Sequence, residues 1–268
     1  MNRIVTDQVV ESSRVKAVPV LEVKNLTKEY GKNKALNNVS LGFFPGAVHV
    51  LFGENGAGKS TLISMLAGAN EPTDGVIKVN GDSLSRFESV AHARKFGVRA
   101  VFQEFSLVPH RTVAENVMLG EEPLGGLRFL NKSVARDEAK KLIDDLGFDL
   151  DVDAKLGSLT RGKQQMVEIC KALRHPPRLL ILDEPTASLS EHDAQALISL
   201  VHRLKDRGTA IIYVTHRMHE IREVGDHVSV LRDGELISTV PSATPEDQLI
   251  HLMTGRTVSK SYPSVPFG

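Results

Sequence analysis

The stretch Gly53-Glu54-Asn55-Gly56-Ala57-Gly58-Lys59-Ser60 decides the fold of this chain. It matches the pattern G-x-x-x-x-G-K-[ST], in which backbone N–H groups between glycines converge on phosphate oxygens. The residues before it, Ala47 to Phe52, predict a short apolar strand, and those after it, Thr61 to Ala67, predict a helix. This order places the positive end of the helix dipole beside the phosphates. The eight residues, called the phosphate loop below, and Thr61 are therefore predicted to bind a nucleotide.

A second, acidic motif follows an apolar strand later in the chain. Leu179 to Leu182 is predicted to be a buried strand, and Asp183 and Glu184 come directly after it. This is typical of a Walker B motif, so we expect Asp183 to hold Mg²⁺ through water and Glu184 to polarise the water that attacks the γ-phosphate. In the phosphate loop, Lys59 is expected to reach the β- and γ-phosphates and the Ser60 hydroxyl to bind Mg²⁺. The two motifs together predict a site for a nucleoside triphosphate and Mg²⁺.

Composition narrows the class of protein. The chain has 268 residues, with 33 Lys+Arg against 33 Asp+Glu, and one cysteine. An even charge balance argues against nucleic acid as the main partner, and a single cysteine cannot form an internal disulfide. Cys170 lies on the apolar side of a helical pattern and is expected in the core. Because the apolar runs are too short to cross a bilayer and residues 1–18 lack the apolar core of a signal peptide, we expect a soluble, cytosolic chain.

Alternating strand and helix patterns predict an α/β fold with a mainly parallel sheet and ligands at the carboxyl ends of its strands. Helices are predicted at 133–146, from Lys163 to Leu173 and after Ser190, which is expected to cap the last of these helices. A hairpin is predicted around Asp233-Gly234. The expected divisions are a loose extension (1–18), a nucleotide-binding domain (19–256) and an unstructured tail (257–268). Within the domain we expect an antiparallel β subdomain, at about 19–52 and 75–80, and a helical insertion at about 104–160.

From about residue 20 to residue 255 the chain resembles the ABC-type ATPases, and the order of its motifs carries the resemblance. The likeness implies a P-loop NTPase (RecA-like) core that binds and hydrolyses ATP. It implies that Tyr30 stacks on adenine, that Gln103 contacts Mg²⁺ and the attacking water, and that His216 contacts the γ-phosphate. Ala187 to Ser190 is similar to the family's D-loop. Each of these residues alone is more often a packing or turn residue, and their agreement in order gives the assignment its weight.

The family's signature sequence LSGGQ is represented here by Leu159-Thr160-Arg161-Gly162-Lys163. Thr160 keeps a hydroxyl and Gly162 keeps a close backbone approach, whereas Arg161 replaces a glycine and Lys163 replaces the glutamine. In this family the signature of one subunit closes on the ATP of the other, so the resemblance implies a dimer with two composite sites. Residues 160–163, called the signature turn below, are therefore expected to contact the partner's nucleotide. Two roles stay open for Lys163: positive charge near that γ-phosphate, or a side chain in solvent.

The finer resemblance is to the ATPases of monosaccharide importers. Gln103 to Val117 and Gln164 to Leu173 are similar to the corresponding segments of those proteins. Thr254-Gly255-Arg256 resembles the point where many of them continue into a second ATPase half, so this chain would be one half, either a stand-alone subunit or a truncated form. Because all the catalytic residues are present, it resembles the competent first half. The likeness implies three partners: a second ATPase subunit, a membrane permease on whose cytoplasmic face the chain docks, and, indirectly, an extracellular or periplasmic solute-binding protein.

Three alternatives stay open. One is a soluble ABC-type ATPase that acts on ribosomes or DNA, against which the chain shows no basic excess and no second cassette. Another is a regulatory module that barely hydrolyses ATP, because the signature is unusual. The third is an importer of another small solute, such as a nucleoside, a signalling molecule or a branched-chain amino acid.

Overall fold

A computed structural model describes residues 18–84, 86–123 and 131–255, so nearly all of the predicted extension and the whole predicted tail lie outside it. Within these ranges the chain forms two sheets flanked by helices. The strands are β1 (Leu21–Tyr30), β2 (Asn33–Phe43), β3 (Val48–Phe52), β4 (Asp74–Val79), β5 (Asp82–Leu84), β6 (Val98–Val101), β7 (Leu179–Asp183), β8 (Ala210–Val214), β9 (His227–Arg232) and β10 (Glu235–Pro241). The helices are α1 (Lys59–Leu66), α2 (Val90–Lys95), α3 (Val113–Val117), α4 (Lys132–Leu146), α5 (Arg161–Ala172), α6 (Glu191–Asp206), α7 (Met218–Val224) and α8 (Glu246–Thr254).

The larger sheet has the strand order β10-β9-β3-β8-β7-β6, and only β10 runs antiparallel to its neighbour. Its strands bury both faces: Leu180 and Leu182 of β7 pack into one apolar core, and Leu179 and Ile181 pack into the other. Burial on both faces explains why these strands read as continuous apolar runs. The prediction of a mainly parallel sheet is confirmed. The carboxyl ends of β3, β8, β7 and β6 meet at one edge, which carries the loops with the sequence motifs.

The smaller sheet is antiparallel, with the order β2-β1-β4-β5. It shares its core with α1 and with one face of the larger sheet. The β subdomain that the sequence predicts over residues 19–52 therefore gives its last strand, β3, to the larger sheet. A continuous apolar strand does not reveal from sequence which of two sheets it joins, because both bury it.

Helices α3, α4 and α5 pack together on the other face of the larger sheet. Of these, α3 and α4 lie within the range 104–160 where a helical insertion is predicted, and α5 follows that range. The predicted helix at 133–146 is present as α4, and Gly147 ends it with a left-handed backbone at φ 80°. Helix α5 begins at Arg161, two residues before its predicted start, because the Thr160 side chain caps it. Helix α7 is absent from the sequence prediction. It has only seven residues, too few to show a helical period.

Two further predictions on single residues are confirmed. Ser190 caps α6, accepting a hydrogen bond from the Asp193 backbone N–H at 3.2 Å. Cys170 is fully buried, and burial raises the pKa of its thiol, which makes it unreactive. In the three described ranges, no helix combines the length and apolar character needed to cross a membrane.

Candidate functional site

The phosphate loop connects the carboxyl end of β3 to the first turn of α1. Gly58 is the N-cap of α1 and has a φ of 99°, a conformation that L side chains rarely adopt. A Cβ at this position would lie 2.6 Å from the Ala35 carbonyl oxygen of β2, so the loop also packs too closely for any side chain here. The glycine therefore sets both the direction of the loop and its contact with the smaller sheet.

Lys59 points its ammonium group back into this loop. Its side-chain Nζ donates hydrogen bonds to the carbonyl oxygens of Gly53, at 2.7 Å, and Glu54, at 3.0 Å. Burial lowers the pKa of Lys59, while the nearby carboxylates of Glu184 and Asp183 act in the opposite direction. The loop thus holds a positive charge at its centre, facing two negative charges from the end of β7.

Those two carboxylates line the same cavity as the phosphate loop, and the cavity measures about 420 Å³. Burial, and secondly the adjacent Glu184, raise the pKa of Asp183 to about 6, with Lys59 opposing the shift. The residues that line this cavity come from β2, the phosphate loop, α1 and the ends of β6, β7 and β8: Ala35, Asn55, Gly56, Gly58, Lys59, Ser60, Thr61, Gln103, Asp183, Glu184 and Val214. Half of the predicted nucleotide and metal contacts are therefore brought together with the predicted Glu184.

Glu184 has a left-handed backbone, with a φ of 46°, which is uncommon for a residue with a side chain. Its N–H donates to the Val214 carbonyl oxygen at 3.0 Å, which ties it to the end of β8. Its Oε1 lies 3.2 Å from Nδ1 of His216, a largely exposed residue that follows β8. The structure thus brings the predicted His216 into hydrogen-bonding distance of Glu184, the predicted catalytic carboxylate.

A buried carboxylate that the sequence analysis did not predict, that of Glu220, lies near Glu184 and His216. Glu220 is 1% exposed and accepts hydrogen bonds from the hydroxyls of Thr186, Thr215 and Tyr213. Thr186 follows Glu184 by two residues and Thr215 precedes His216, so Glu220 joins the two segments that carry the exposed pair. A buried charge is stable only when it is hydrogen-bonded in this way. The sequence gives no distinctive signal for it, because Glu220 is one of two acids among the mixed polar and apolar residues of α7.

Tyr30 lies apart from the cavity. It ends β1, is 51% exposed and accepts a hydrogen bond from Asn70 through its hydroxyl. The Lys28 Nζ lies 5.0 Å from the centre of its ring. Its exposed face is open to a stacking ligand, and the adenine contact stays a prediction.

The signature turn also lies outside the cavity. Thr160 Oγ1 accepts from the Lys163 N–H at 3.3 Å and so caps α5. A Cβ on Gly162 would lie 2.6 Å from the Ser188 carbonyl oxygen, so this glycine packs against the predicted D-loop. Lys163 Nζ lies 3.6 Å from Asp149 Oδ2 in an exposed ion pair. Within the chain, the turn contacts protein and leaves the phosphate site open.

A glycine loop between a parallel strand and a helix, with a lysine and a strand-end aspartate facing one another, defines a P-loop nucleotide-binding α/β fold. Comparison with known proteins agrees. Residues 36–187 match the ABC transporter family, and the chain belongs to that family.

Similar proteins are found among curated sequences and solved structures. The chain is 44% identical over 246 residues to a ribose import ATP-binding protein of Corynebacterium glutamicum, covering 91% of this chain and 46% of that protein. It is 42% identical over 246 residues to one of Rubrobacter xylanophilus, covering 91% and 49%. The chain thus spans about half the length of the curated relatives it matches.

Two solved structures place the fold. A nucleotide-free ATP-binding cassette from an ABC transporter has a TM-score of 0.75 at 26% identity, covering 88% of this chain and 95% of that one. A cassette in a dimeric post-hydrolysis state bound to ADP and Pi has a TM-score of 0.72 at 26% identity, covering 83% and 98%. Both likenesses extend over nearly the whole of the solved chain.

Proposed function

We propose that this chain binds ATP with Mg²⁺ and hydrolyses it as the energising subunit of an importer of monosaccharides. The observation that carries the proposal is the single cavity onto which Lys59, Ser60, Gln103, Asp183 and Glu184 open. It combines a cation for the phosphates, oxygen donors for a metal and a second carboxylate for water. These are the parts that phosphoryl transfer to water requires.

Lys59 acts on the phosphates. Its present partners are two neutral backbone carbonyls of the phosphate loop. Exchange of these for phosphate oxygens replaces neutral acceptors with charged ones, and charge-assisted hydrogen bonds are roughly twice as strong. Burial of the ammonium group strengthens this preference, because charge interactions are larger in a low dielectric.

Ser60, Asp183 and Gln103 form an all-oxygen donor set, which suits Mg²⁺. Burial raises the pKa of Asp183 and Lys59 opposes this shift only in part, so a bound cation would stabilise the carboxylate further. Mg²⁺ held there would neutralise charge that develops on the β- and γ-phosphates.

Glu184 positions the attacking water. Its carboxylate shares the cavity with Lys59, and its backbone is fixed to β8. His216 holds one oxygen of the carboxylate, which leaves the other to accept a hydrogen bond from water. The Glu220 cluster keeps the Glu184 and His216 segments at a constant separation.

The signature turn of a second subunit completes the site. The turn of this chain does not reach its own cavity, and a similar cassette has been solved as a dimer bound to ADP and Pi. ATP binding would therefore close two subunits, and hydrolysis would reopen them. A permease would pass this motion to the solute, and it would hold the chain on the cytoplasmic face of the membrane. The sugar is inferred from relatives that are named for ribose import.

Transport by a reconstituted complex tests the proposal. Vesicles that hold the chain and its permease, with ATP enclosed and a solute-binding protein outside, should take up labelled ribose. A Glu184→Gln chain should bind ATP without uptake. Uptake of a nucleoside or an amino acid instead of ribose would show that the transported solute is not a monosaccharide. A chain that purifies with ribosomes or DNA and not with membranes would contradict the transport function.

A further inference from the structure

Arg161 contacts the segment that carries Gln103. Residues 103–106, called the glutamine loop here, follow β6 and lie alongside α5. The Arg161 Nη2 donates a hydrogen bond to the backbone carbonyl oxygen of Gln103 at 2.9 Å. The carbon at the centre of its guanidinium also lies 4.4 Å from the centre of the Phe105 ring. A planar guanidinium can make both contacts at once, because it stacks with its face and donates from its edge.

Two more side chains of α5 hold the other end of the same loop. Glu168 Oε1 accepts from the Ser106 hydroxyl at 2.9 Å, and Lys171 Nζ donates to the Ser106 carbonyl oxygen at 2.7 Å. Residues 161, 168 and 171 are seven and three positions apart, so they lie along one face of the helix. The glutamine loop is therefore fixed at its start and at its end to a single helix.

We propose that Arg161 is a positioning residue that ties Gln103 to the signature turn of the same chain. This inference rests on the proposed function, because it assigns Arg161 a role in hydrolysis. Arg161 grips the backbone of Gln103 and so leaves the Gln103 side chain to face the cavity. Since Arg161 lies between Thr160 and Gly162, any movement of the signature turn carries the backbone of Gln103 with it. A second subunit that closes on the turn thereby sets the position of Gln103.

The arrangement separates turnover from nucleotide binding. Arg161 does not line the cavity, so its removal leaves the contacts of Lys59 and Ser60 unchanged. Removal of Arg161 changes the position of Gln103, a residue on which hydrolysis is proposed to depend. Small displacements of such a residue slow a reaction more than they weaken binding. Lysine cannot replace arginine here, because it has neither the planar face nor the fork of donors.

Fluorescence measures the contact between Arg161 and the glutamine loop. The chain has no tryptophan, so Phe105→Trp supplies a single probe that keeps an aromatic face under Arg161. On this background, Arg161→Ala should raise quenching of the tryptophan by acrylamide about twofold, because the guanidinium no longer covers the ring. The control is Arg136→Ala, which removes another surface arginine. Arg136 lies on α4 and is paired with Asp153. Equal quenching in the Arg161→Ala, Arg136→Ala and parent chains would overturn the proposal.

The consequence for turnover is measured by steady-state kinetics of the full chain, in its complex where the complex is needed for activity. Arg161→Ala and Arg161→Lys should both lower kcat about tenfold, whereas the ATP affinity of the dilute chain, whose own cavity Arg161 does not line, should stay within about twofold of the unmodified chain. Recovery of kcat by Arg161→Lys would overturn the proposal, since charge alone would then suffice. Normal kcat in both variants would overturn it as well. An unmodified chain that does not hydrolyse ATP would contradict the proposed function instead, and the quenching experiment would still test the contact between Arg161 and the glutamine loop.

Discussion

The phosphate loop and the signature turn are both glycine-containing turns at the start of a helix, but only the phosphate loop opens onto a cavity lined by other candidate functional side chains of the same chain. Around the phosphate loop, Lys59 faces Asp183 and Glu184 across one cavity. Around the signature turn, Arg161 holds Gln103 and Gly162 packs on the Ser188 carbonyl, and none of residues 160–163 lines that cavity. The difference supports the proposal that this chain carries one half of each of two sites. Each half can therefore be damaged separately.

The largest effect is expected at Glu184, which we propose positions the attacking water beside the phosphate loop. Glu184→Gln keeps the shape of the side chain but removes its charge, and we expect hydrolysis to fall about 1,000-fold, as for loss of a group that positions the nucleophile. ATP affinity should be unchanged. Phosphate release and calorimetric titration measure the two quantities. Glu246→Gln, at an exposed position on α8, is the control, and near-normal hydrolysis by Glu184→Gln would remove this residue from the mechanism.

The next effect is expected at Lys59, which we propose binds the phosphates. Lys59→Ala removes two charge-assisted hydrogen bonds worth about 2 kcal/mol each, so ATP affinity should fall several hundredfold. Titration calorimetry of the dilute chain measures it. Lys155→Ala, at an exposed position outside the cavity, should bind as the unmodified chain does. An affinity for Lys59→Ala equal to that of this control would refute the assignment of the phosphate loop.

A buried histidine in β3, the strand that leads into the phosphate loop, should make the folded chain less stable in acid. His49 of β3 is 3% exposed, neither ring nitrogen has a hydrogen-bond partner, and it packs between Phe43, Phe44 and His227. Burial, followed by the charge of His227, lowers the pKa of His49 from 6.5 to about 4, and Asp226 opposes the shift.

The unfolded chain therefore binds a proton at higher pH than the folded chain does. The stability that neutral His49 contributes is complete above pH 6.5 and is lost as the pH falls towards 4, by about 3 kcal/mol in all. Urea unfolding at a series of pH values measures this loss. The curve for His49→Phe should be flatter over the same range, and parallel curves for the two chains would contradict the prediction.

A matched pair of glycines in the phosphate loop should give a smaller effect. Gly58→Ala places a Cβ 2.6 Å from a backbone carbonyl at a φ of 99°, whereas Gly56→Ala has a φ of 84° but no atom within 4 Å. We expect about 2 kcal/mol of destabilisation or more for Gly58→Ala, against about 1 kcal/mol for Gly56→Ala from backbone strain alone. Thermal or chemical unfolding compares the two variants. Equal losses would mean that the contact with β2 does not constrain the loop.

The two regions also differ in how far sequence predicts them. The phosphate loop, Asp183 and Glu184 could be placed because each follows an apolar strand, and parallel strands bring their carboxyl ends to one edge. The contact between Arg161 and Gln103 could not, since it joins side chain to backbone across 58 positions of sequence. For the same reason the buried Glu220 was missed, because its three hydroxyl partners come together only after β7, β8 and α7 have packed.

The remaining misses concern local structure. Helix α7 is too short for a periodic pattern, and β3 could belong to either sheet until pairing decided between them. The role of Tyr30 stays a prediction, because the contacts of this exposed residue are with Lys28 and Asn70 and not with residues of the cavity.

Mixing two defective chains tests most directly whether each chain carries half of two sites. A Lys59→Ala chain keeps its signature turn but cannot hold ATP, and a Gly162→Ala chain should still bind ATP, which also shows that it is folded. Each alone should be inactive, whereas an equal mixture should recover about a quarter of the unmodified rate, because half of the dimers then contain one intact site out of two. A mixture no more active than its components, or full activity of the Gly162→Ala chain alone, would contradict the account.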